Sequence, residues 1–135
     1  MFTKKNAEQI KVSPDFTSDI RISQGFTIGD LIILSGQVAR NEKGIIVGNN
    51  IQEQAKQIFK NIDKILTSLG SSLNKIIKVT IYVLDISDFA EIVNIRKRYF
   101  SPPYPADTLV EVKSLAAKEM LIEVEAIALI KGEVL

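Results

Sequence analysis

The stretch MLIEVEAIALI (residues 120–130) alternates between two kinds of side chain, and this alternation decides how the chain folds. Successive residues of a β-strand point to opposite faces of its sheet. The even-numbered positions from 122 onward are all aliphatic: Ile122, Val124, Ala126, Ala128 and Ile130. The odd-numbered positions carry two glutamates and then two aliphatic residues: Glu123, Glu125, Ile127 and Leu129. We therefore predict a strand with one face buried under helices and one mixed face, which we call the open face.

Two helices are predicted from periodicity. In NIQEQAKQIFKNIDKILTSLG (residues 50–70), apolar residues recur every three or four positions, which is typical of one helical face. Asn50 is a suitable N-cap, and Gly70 lies where a glycine commonly ends a helix. A second helix is predicted over about 87–100, because the prolines that begin at Pro102 prevent it from continuing.

The remaining segments predict strands. Residues 20–36 indicate two short strands around a turn, 75–84 a central strand and 107–113 the strand before the last. Alternation in the central strand places Ile77 with Val79, and Ile76 on the opposite side. The order β-β-α-β-α-β-β predicts one α/β (α+β) domain over residues 1–135, a mixed sheet with both helices on one face.

Two helices can cover only one face of such a sheet. The open face then exposes Ile127, Leu129 and part of the central strand, which is a large apolar patch for a monomer. Burial against further copies in a closed symmetric oligomer is the economical arrangement.

Composition excludes several kinds of chemistry. The chain has no cysteine and no histidine, so thiolate catalysis, cysteine-based zinc sites and a histidine general base are excluded. Lysine and arginine total 17 against 16 acidic residues, which leaves no electrostatic attraction to nucleic acid or to an anionic membrane. No apolar run is long enough for a membrane span. We expect a cytoplasmic protein without a metal or a cofactor.

Five short motifs, in order, resemble one known family. They are SGQVA (35–39), QEQAKQIFKNIDKILTSLG (52–70), VTIYVLDISDF (79–89), the PA pair at 105–106 and IEVEAIA (122–128). In this order and spacing they resemble the RidA/YjgF superfamily, formerly labelled endoribonuclease L-PSP or translation initiation inhibitor. The resemblance implies a chorismate-mutase-like fold and a homotrimer, in which the sheets form a central barrel with a ligand cleft between each pair of subunits.

The resemblance also implies a chemistry. In the best-studied branch of the family the clefts hydrolyse 2-imino or enamine acids to 2-keto acids and ammonia. There, an arginine directly after PA binds the substrate carboxylate, and a glutamate positions the attacking water. In this sequence Glu123 falls on that glutamate, and Ser35 and Gly36 on the SG pair of the family. Asp107 stands where the arginine is expected, so the chain resembles an arginine-lacking branch.

Three further positions complete the predicted ligand-binding set. Ile22 falls on a cleft tyrosine of the family and Val93 on a cleft asparagine, with Asn94 as its neighbour. Tyr104, in the proline loop, either closes over a ligand or simply packs. Ser35 has no histidine partner, so we interpret it as a hydrogen-bonding residue and not as a nucleophile.

Asp107 has two interpretations. It is a turn carboxylate at the start of a strand, or it is a ligand contact that repels anionic substrates. Alternation places it on the same sort of face as Glu123, toward a neighbouring subunit, where two carboxylates can act as an acid/base pair.

The sequence leaves three hypotheses for function. The first is a homotrimer that binds a small metabolite other than a 2-imino acid. The second is an imine or enamine deaminase that uses Glu123 and water, with Lys113 or Arg98 as the substitute anchor. The third, a ribonuclease-like role, is disfavoured by the near-neutral charge and the absence of histidine, so no nucleic-acid partner is expected.

Overall fold

The computed structural model describes residues 6–135, and its six strands form one mixed sheet. The strands are β1 (Ala7–Gln9), β2 (Gly25–Ile28), β3 (Leu31–Leu34), β4 (Ile76–Val83), β5 (Ala106–Glu111) and β6 (Ile122–Leu129). Their order in the sheet is β1-β2-β3-β6-β4-β5. All neighbours are antiparallel except β4 and β5. Residues 1–5, which the single-domain prediction includes, lie outside the described residues.

Both predicted helices form. Helix α1 spans Ile51–Ser68, and Asn50 caps it by accepting a hydrogen bond from the backbone N–H of Glu53 at 2.9 Å. The helix ends just before Gly70, whose φ of +78° strongly favours glycine. Helix α2 spans Phe89–Tyr99 and begins later than predicted, because a 3-10 turn occupies the residues before it.

The helices cover one face of the sheet, which confirms the prediction from β6. Ile122, Val124, Ala126 and Ala128 are all buried there, against the apolar stripe of α1. The ring of Phe59 stacks on that of Tyr99 with 4.2 Å between centroids, which joins α1 to α2. Within residues 6–135, neither helix is both long and apolar enough to cross a membrane.

The side assignment in β4 is wrong at its start. Ile76 pairs with Ala128 but Lys78 pairs with Ile127, so one extra residue interrupts the ladder. This bulge turns Ile76 into the core, where it is only 3% exposed, instead of toward the open face. Simple alternation fails here because a bulge breaks the two-residue period.

The predicted face of Asp107 is also wrong. In the parallel pair β4–β5, Asp107 stands beside Val79, which is buried beneath the helices. Residues paired side by side in a sheet share a face, so Asp107 lies on the helix side and Glu123 on the open side. None of the residues of β5 is fully buried, so the sequence of β5 carries little information about which of its faces is inward.

The open face is partly apolar, as predicted. Phe26, Leu31 and Ile33 are 41%, 37% and 44% exposed. Phe26 pairs with Ile33 across β2 and β3, and Ile33 with Ile127 of β6, so these side chains share one surface. We call Phe26, Leu31, Ile33, Ile127 and Leu129 the apolar patch.

Candidate functional site

A cavity of about 710 Å³ opens beside the glutamate end of β6. Its walls come from the loop before β2, the segment after β3, part of α1, and β6 itself. Four of the predicted site residues line it: Ile22, Ser35, Gly36 and Glu123. The fold thus brings together residues that are about 100 positions apart in the sequence.

A bulge between β3 and β6 forms the floor of this cavity. Ile33 pairs with Ile127, and beyond β3 Gln37 forms a bridge with Val124. Three residues (34–36) thus stand opposite two (125–126). The extra residue ends regular pairing, as bulges beside binding sites commonly do. Gly36 then lies directly against the Glu123 carboxylate, and a Cβ atom at position 36 would overlap it.

Glu123 is held in an environment that favours its neutral form. The residue is half-buried, and among residues 6–135 no group donates a hydrogen bond to its carboxylate. Burial raises the pKa of Glu123, and the negative charge of Glu125 raises it further. A carboxyl group with a raised pKa exchanges its proton closer to neutral pH, which suits general acid–base catalysis.

Glu125 has a defined partner. The phenol of Tyr82 donates a hydrogen bond to Oε1 of Glu125 at 2.9 Å. This bond is the main reason that the pKa of Tyr82 is raised, followed by burial and by the charges of Glu125 and Glu123. In the sheet, Tyr82 stands directly opposite Glu123. We did not predict a functional role for Tyr82, because only the register between β4 and β6 brings it to the two glutamates.

Ser35 serves chiefly to hold the backbone together. Its hydroxyl donates to the carbonyl of Ser23 at 2.6 Å, and its backbone N–H donates to the carbonyl of Gln24 at 2.9 Å. Since the hydroxyl proton is already used, Ser35 can offer a ligand only oxygen lone pairs.

Gln24 supports the wall of the cavity, a role that was not predicted from the sequence. It is buried, and its side-chain amide makes two hydrogen bonds of 2.8 Å with the backbone of Val12. These bonds tie the loop that carries Ile22 to the start of the chain. A buried glutamine next to a strand has no recognisable sequence pattern.

The other predicted contacts lie away from the cavity. Val93 is on α2, Tyr104 is 70% exposed in the proline loop, and neither lines the cavity. Asp107 also lies outside it and is bound by Arg96 of α2 through both carboxylate oxygens. The two distances are 2.9 Å from Nε to Oδ2 and 2.6 Å from Nη2 to Oδ1. This two-pronged ion pair favours the structural interpretation of Asp107. A contact between Asp107 and a ligand stays a prediction.

We expect the Arg96–Asp107 pair to stabilise the packing of α2 on β5 by about 1 kcal/mol, because the pair is two-pronged but partly exposed. Urea unfolding of the two single alanine variants and of the double variant gives the coupling energy between Arg96 and Asp107. Arg98 is the matched control, since it lies on the same helix without contacting Asp107. A coupling near zero for Arg96 would show that the fork does not hold the helix.

The suggested substitute anchors do not line the cavity. Lys113 borders a smaller depression of about 330 Å³, and Arg98 borders neither. The basic residues of the main cavity are instead Arg40, Lys60 and Lys64. Among residues 6–135, no three acidic side chains are grouped in a way that could hold a metal ion.

The profile of the Endoribonuclease L-PSP family matches residues 15–130 of the chain. The chain is 43% identical over 107 residues to a RutC family protein of Pyrococcus abyssi, covering 78% of this chain and 84% of that protein. It is 34% identical over 108 residues to the human 2-iminobutanoate/2-iminopropanoate deaminase, covering 79% and 78%.

Solved structures agree with this assignment. RidA from an Antarctic Psychrobacter matches with a TM-score of 0.75 and 32% identity, covering 81% of this chain and 88% of that one. A YjgF-family protein of Mycobacterium tuberculosis, Rv2704, matches with a TM-score of 0.79 and 27% identity, covering 92% and 99%. The chain belongs to the RidA/YjgF family, also called the Endoribonuclease L-PSP family, and this confirms the predicted family and fold.

Proposed function

We propose that this protein hydrolyses the C=N bond of small imines and of their enamine tautomers, releasing a carbonyl compound and ammonia. The observation that carries the proposal is the Glu123 carboxylate, which lies half-buried against Gly36 in the cavity and has a raised pKa. The human relative that is named a deaminase supports the same class of reaction.

The reaction needs one group that both accepts and donates a proton. In the first step, ionised Glu123 takes a proton from water as the water oxygen bonds to the imine carbon, and it passes that proton to the nitrogen, which gives a carbinolamine and leaves Glu123 ionised again. In the second step, Glu123 takes the hydroxyl proton of the carbinolamine and gives it to the amino nitrogen, so that ammonia leaves as the carbon–nitrogen bond breaks and the C=O bond forms. The raised pKa of Glu123 suits a group that alternates between its two protonation states.

The substrate of this chain is proposed to differ from that of the arginine-containing branch. The position after PA is Asp107, which is engaged with Arg96, so no guanidinium on β5 is available to bind a substrate carboxylate. The cavity offers Arg40, Lys60 and Lys64 instead, on walls remote in sequence from β5. We propose that these residues bind any anionic group that the imine carries.

A homotrimer is part of the proposal. The apolar patch supports it, because Phe26, Leu31 and Ile33 would otherwise remain exposed to water on the open face. A trimer would cover the patch and place the cavity of each subunit beside a neighbour, in a cleft between subunits.

A second candidate function is binding without turnover, of a small ligand that lacks a carboxylate. The adjacent carboxylates of Glu123 and Glu125 favour it, because they disfavour anions close to the bulge. In this case the cavity holds the ligand and Glu123 contributes charge but no proton transfer.

The deciding experiment measures ammonia and carbonyl release by the purified protein. An amino-acid oxidase generates 2-imino acids in the reaction vessel, and an amine oxidase generates imines without a carboxylate. We expect hydrolysis faster than in buffer for at least one of the two classes. If neither class is hydrolysed faster, but an imine or amine raises the melting temperature, binding without turnover is the correct function.

A further inference from the structure

The two glutamates of β6 form an unequal pair. They are two residues apart on one face of the strand, so their Cα atoms are about 7 Å apart. Glu125 accepts the hydrogen bond from Tyr82, whereas Glu123 accepts none from residues 6–135. Because both carboxylates are close and share a partly buried surface, they compete for the first proton that the pair takes up.

We propose that Tyr82 is a positioning residue, which occupies the Glu125 carboxylate by donating to its Oε1 and so directs the proton of the pair to Glu123. A hydrogen bond to a carboxylate stabilises its charged form. Glu123 has no such donor among residues 6–135, so it is the member of the pair that takes up the proton and acts on the substrate. The action of Glu123 on a substrate rests on the proposed function, whereas the effect of Tyr82 on the protonation of Glu123 does not.

No other charge among the described residues explains the asymmetry. Lys78 lies on the same face of β4, but its ammonium donates to the carbonyl of Val79 at 2.9 Å and to the hydroxyl of Thr108 at 3.0 Å. The other charged side chains of the cavity are on different walls: Arg40, Glu42, Lys60, Asp63 and Lys64. Among charges, Glu125 is the one that raises the pKa of Glu123.

The test is the titration of Glu123 in Tyr82→Phe, a change that removes only the hydroxyl. Carbon-13 NMR of labelled glutamate side chains follows each carboxyl group, and the signal lost in Glu123→Gln identifies Glu123. We expect the titration midpoint of Glu123 to fall by about half a pH unit, the size of shift that one weak hydrogen bond produces. The midpoint falls because the variant lacks the hydroxyl that directs the proton of the pair to Glu123.

Tyr104→Phe is the matched control, since its side chain is exposed and outside the cavity. It should leave the Glu123 midpoint unchanged. If Tyr82→Phe also leaves it unchanged, the proposed role of Tyr82 is wrong. The titration needs no substrate, so a protein that hydrolyses no imine would overturn the proposed function without affecting this result.

A second variant covers the case in which Tyr82→Phe folds poorly. Glu125→Gln removes the neighbouring negative charge directly and should lower the Glu123 midpoint as well. Adding Tyr82→Phe to Glu125→Gln should then produce no further shift, because the phenol has lost the charge that it stabilises. An independent, additive shift in the double variant would refute the proposal. Where hydrolysis is measurable, the acid limb of the pH–rate profile should move to lower pH in Tyr82→Phe.

Discussion

Replacing Glu123 by glutamine is expected to lower kcat for imine hydrolysis by about 10²–10⁴-fold, the usual contribution of a general acid–base group. Glutamine keeps the size of the side chain and its place against Gly36, but it cannot accept a proton from water. Steady-state ammonia release measures the effect. KM should change much less than kcat, because the lost interaction acts on the transition state.

Glu133→Gln is a suitable control for this experiment, because Glu133 is exposed beyond β6 and outside the cavity. It removes the same charge without touching the site and should retain full activity. A Glu123→Gln protein that hydrolyses the imine at the wild-type rate would exclude Glu123 from the mechanism.

The Glu123→Gln variant should be at least as stable as the wild type near neutral pH. The folded protein raises the pKa of Glu123, which means that folding disfavours its ionised form. This penalty in the free energy of folding is absent below the pKa that Glu123 has in the unfolded chain. It grows as pH rises from there through the pKa of Glu123 in the folded protein. Glutamine is never ionised, so its stability advantage should increase with pH over that range in urea unfolding. A loss of stability would indicate that Glu123 has a structural role.

Replacing Ile33 by aspartate is expected to abolish the proposed homotrimer and to leave folded monomers. Ile33 lies in the apolar patch, 44% exposed in the single chain. A trimer that buries the patch would bury three unpaired carboxylates, at a cost of several kcal/mol each. Light scattering coupled to size-exclusion chromatography measures the mass directly, and circular dichroism checks that the monomer remains folded.

Ile45→Asp is the matched control for Ile33→Asp. Ile45 is 55% exposed, but it lies in the connector between β3 and α1 and not on the open face. This variant should keep the wild-type mass. If Ile33→Asp also keeps that mass, the apolar patch is not the surface that joins the subunits.

The sequence predicted the parts of the fold that depend on local periodicity. The alternation in β6 identified its buried face, and the stripe and cap of α1 identified that helix within two residues. Both follow from a residue's own neighbours along the chain, because the period of two or 3.6 decides which side chains share a face. The motif order was also enough to indicate the family, which the comparisons confirm.

Predictions that depended on pairing between strands succeeded less often. The face of Asp107 was wrong because β5 takes its orientation from β4, and Ile76 was wrong because a bulge interrupts β4. In the candidate site, the residues predicted on β6 and after β3 from their motifs line the cavity, and their roles stay predictions. The contribution of Tyr82 was not predicted, because its side chain meets Glu125 only through the register of two strands.

The sequence by itself therefore determined the family, the helix-bearing face and the presence of Glu123 on the opposite face. The tertiary structure alone decided the environment of each carboxylate. It placed Asp107 beside Arg96 on the helix side, and it left Glu123 half-buried against Gly36 with Glu125 as its neighbour. The physical reason is that burial, charge and hydrogen bonding at a carboxylate come from residues far away in the chain. Only register and packing bring those residues together.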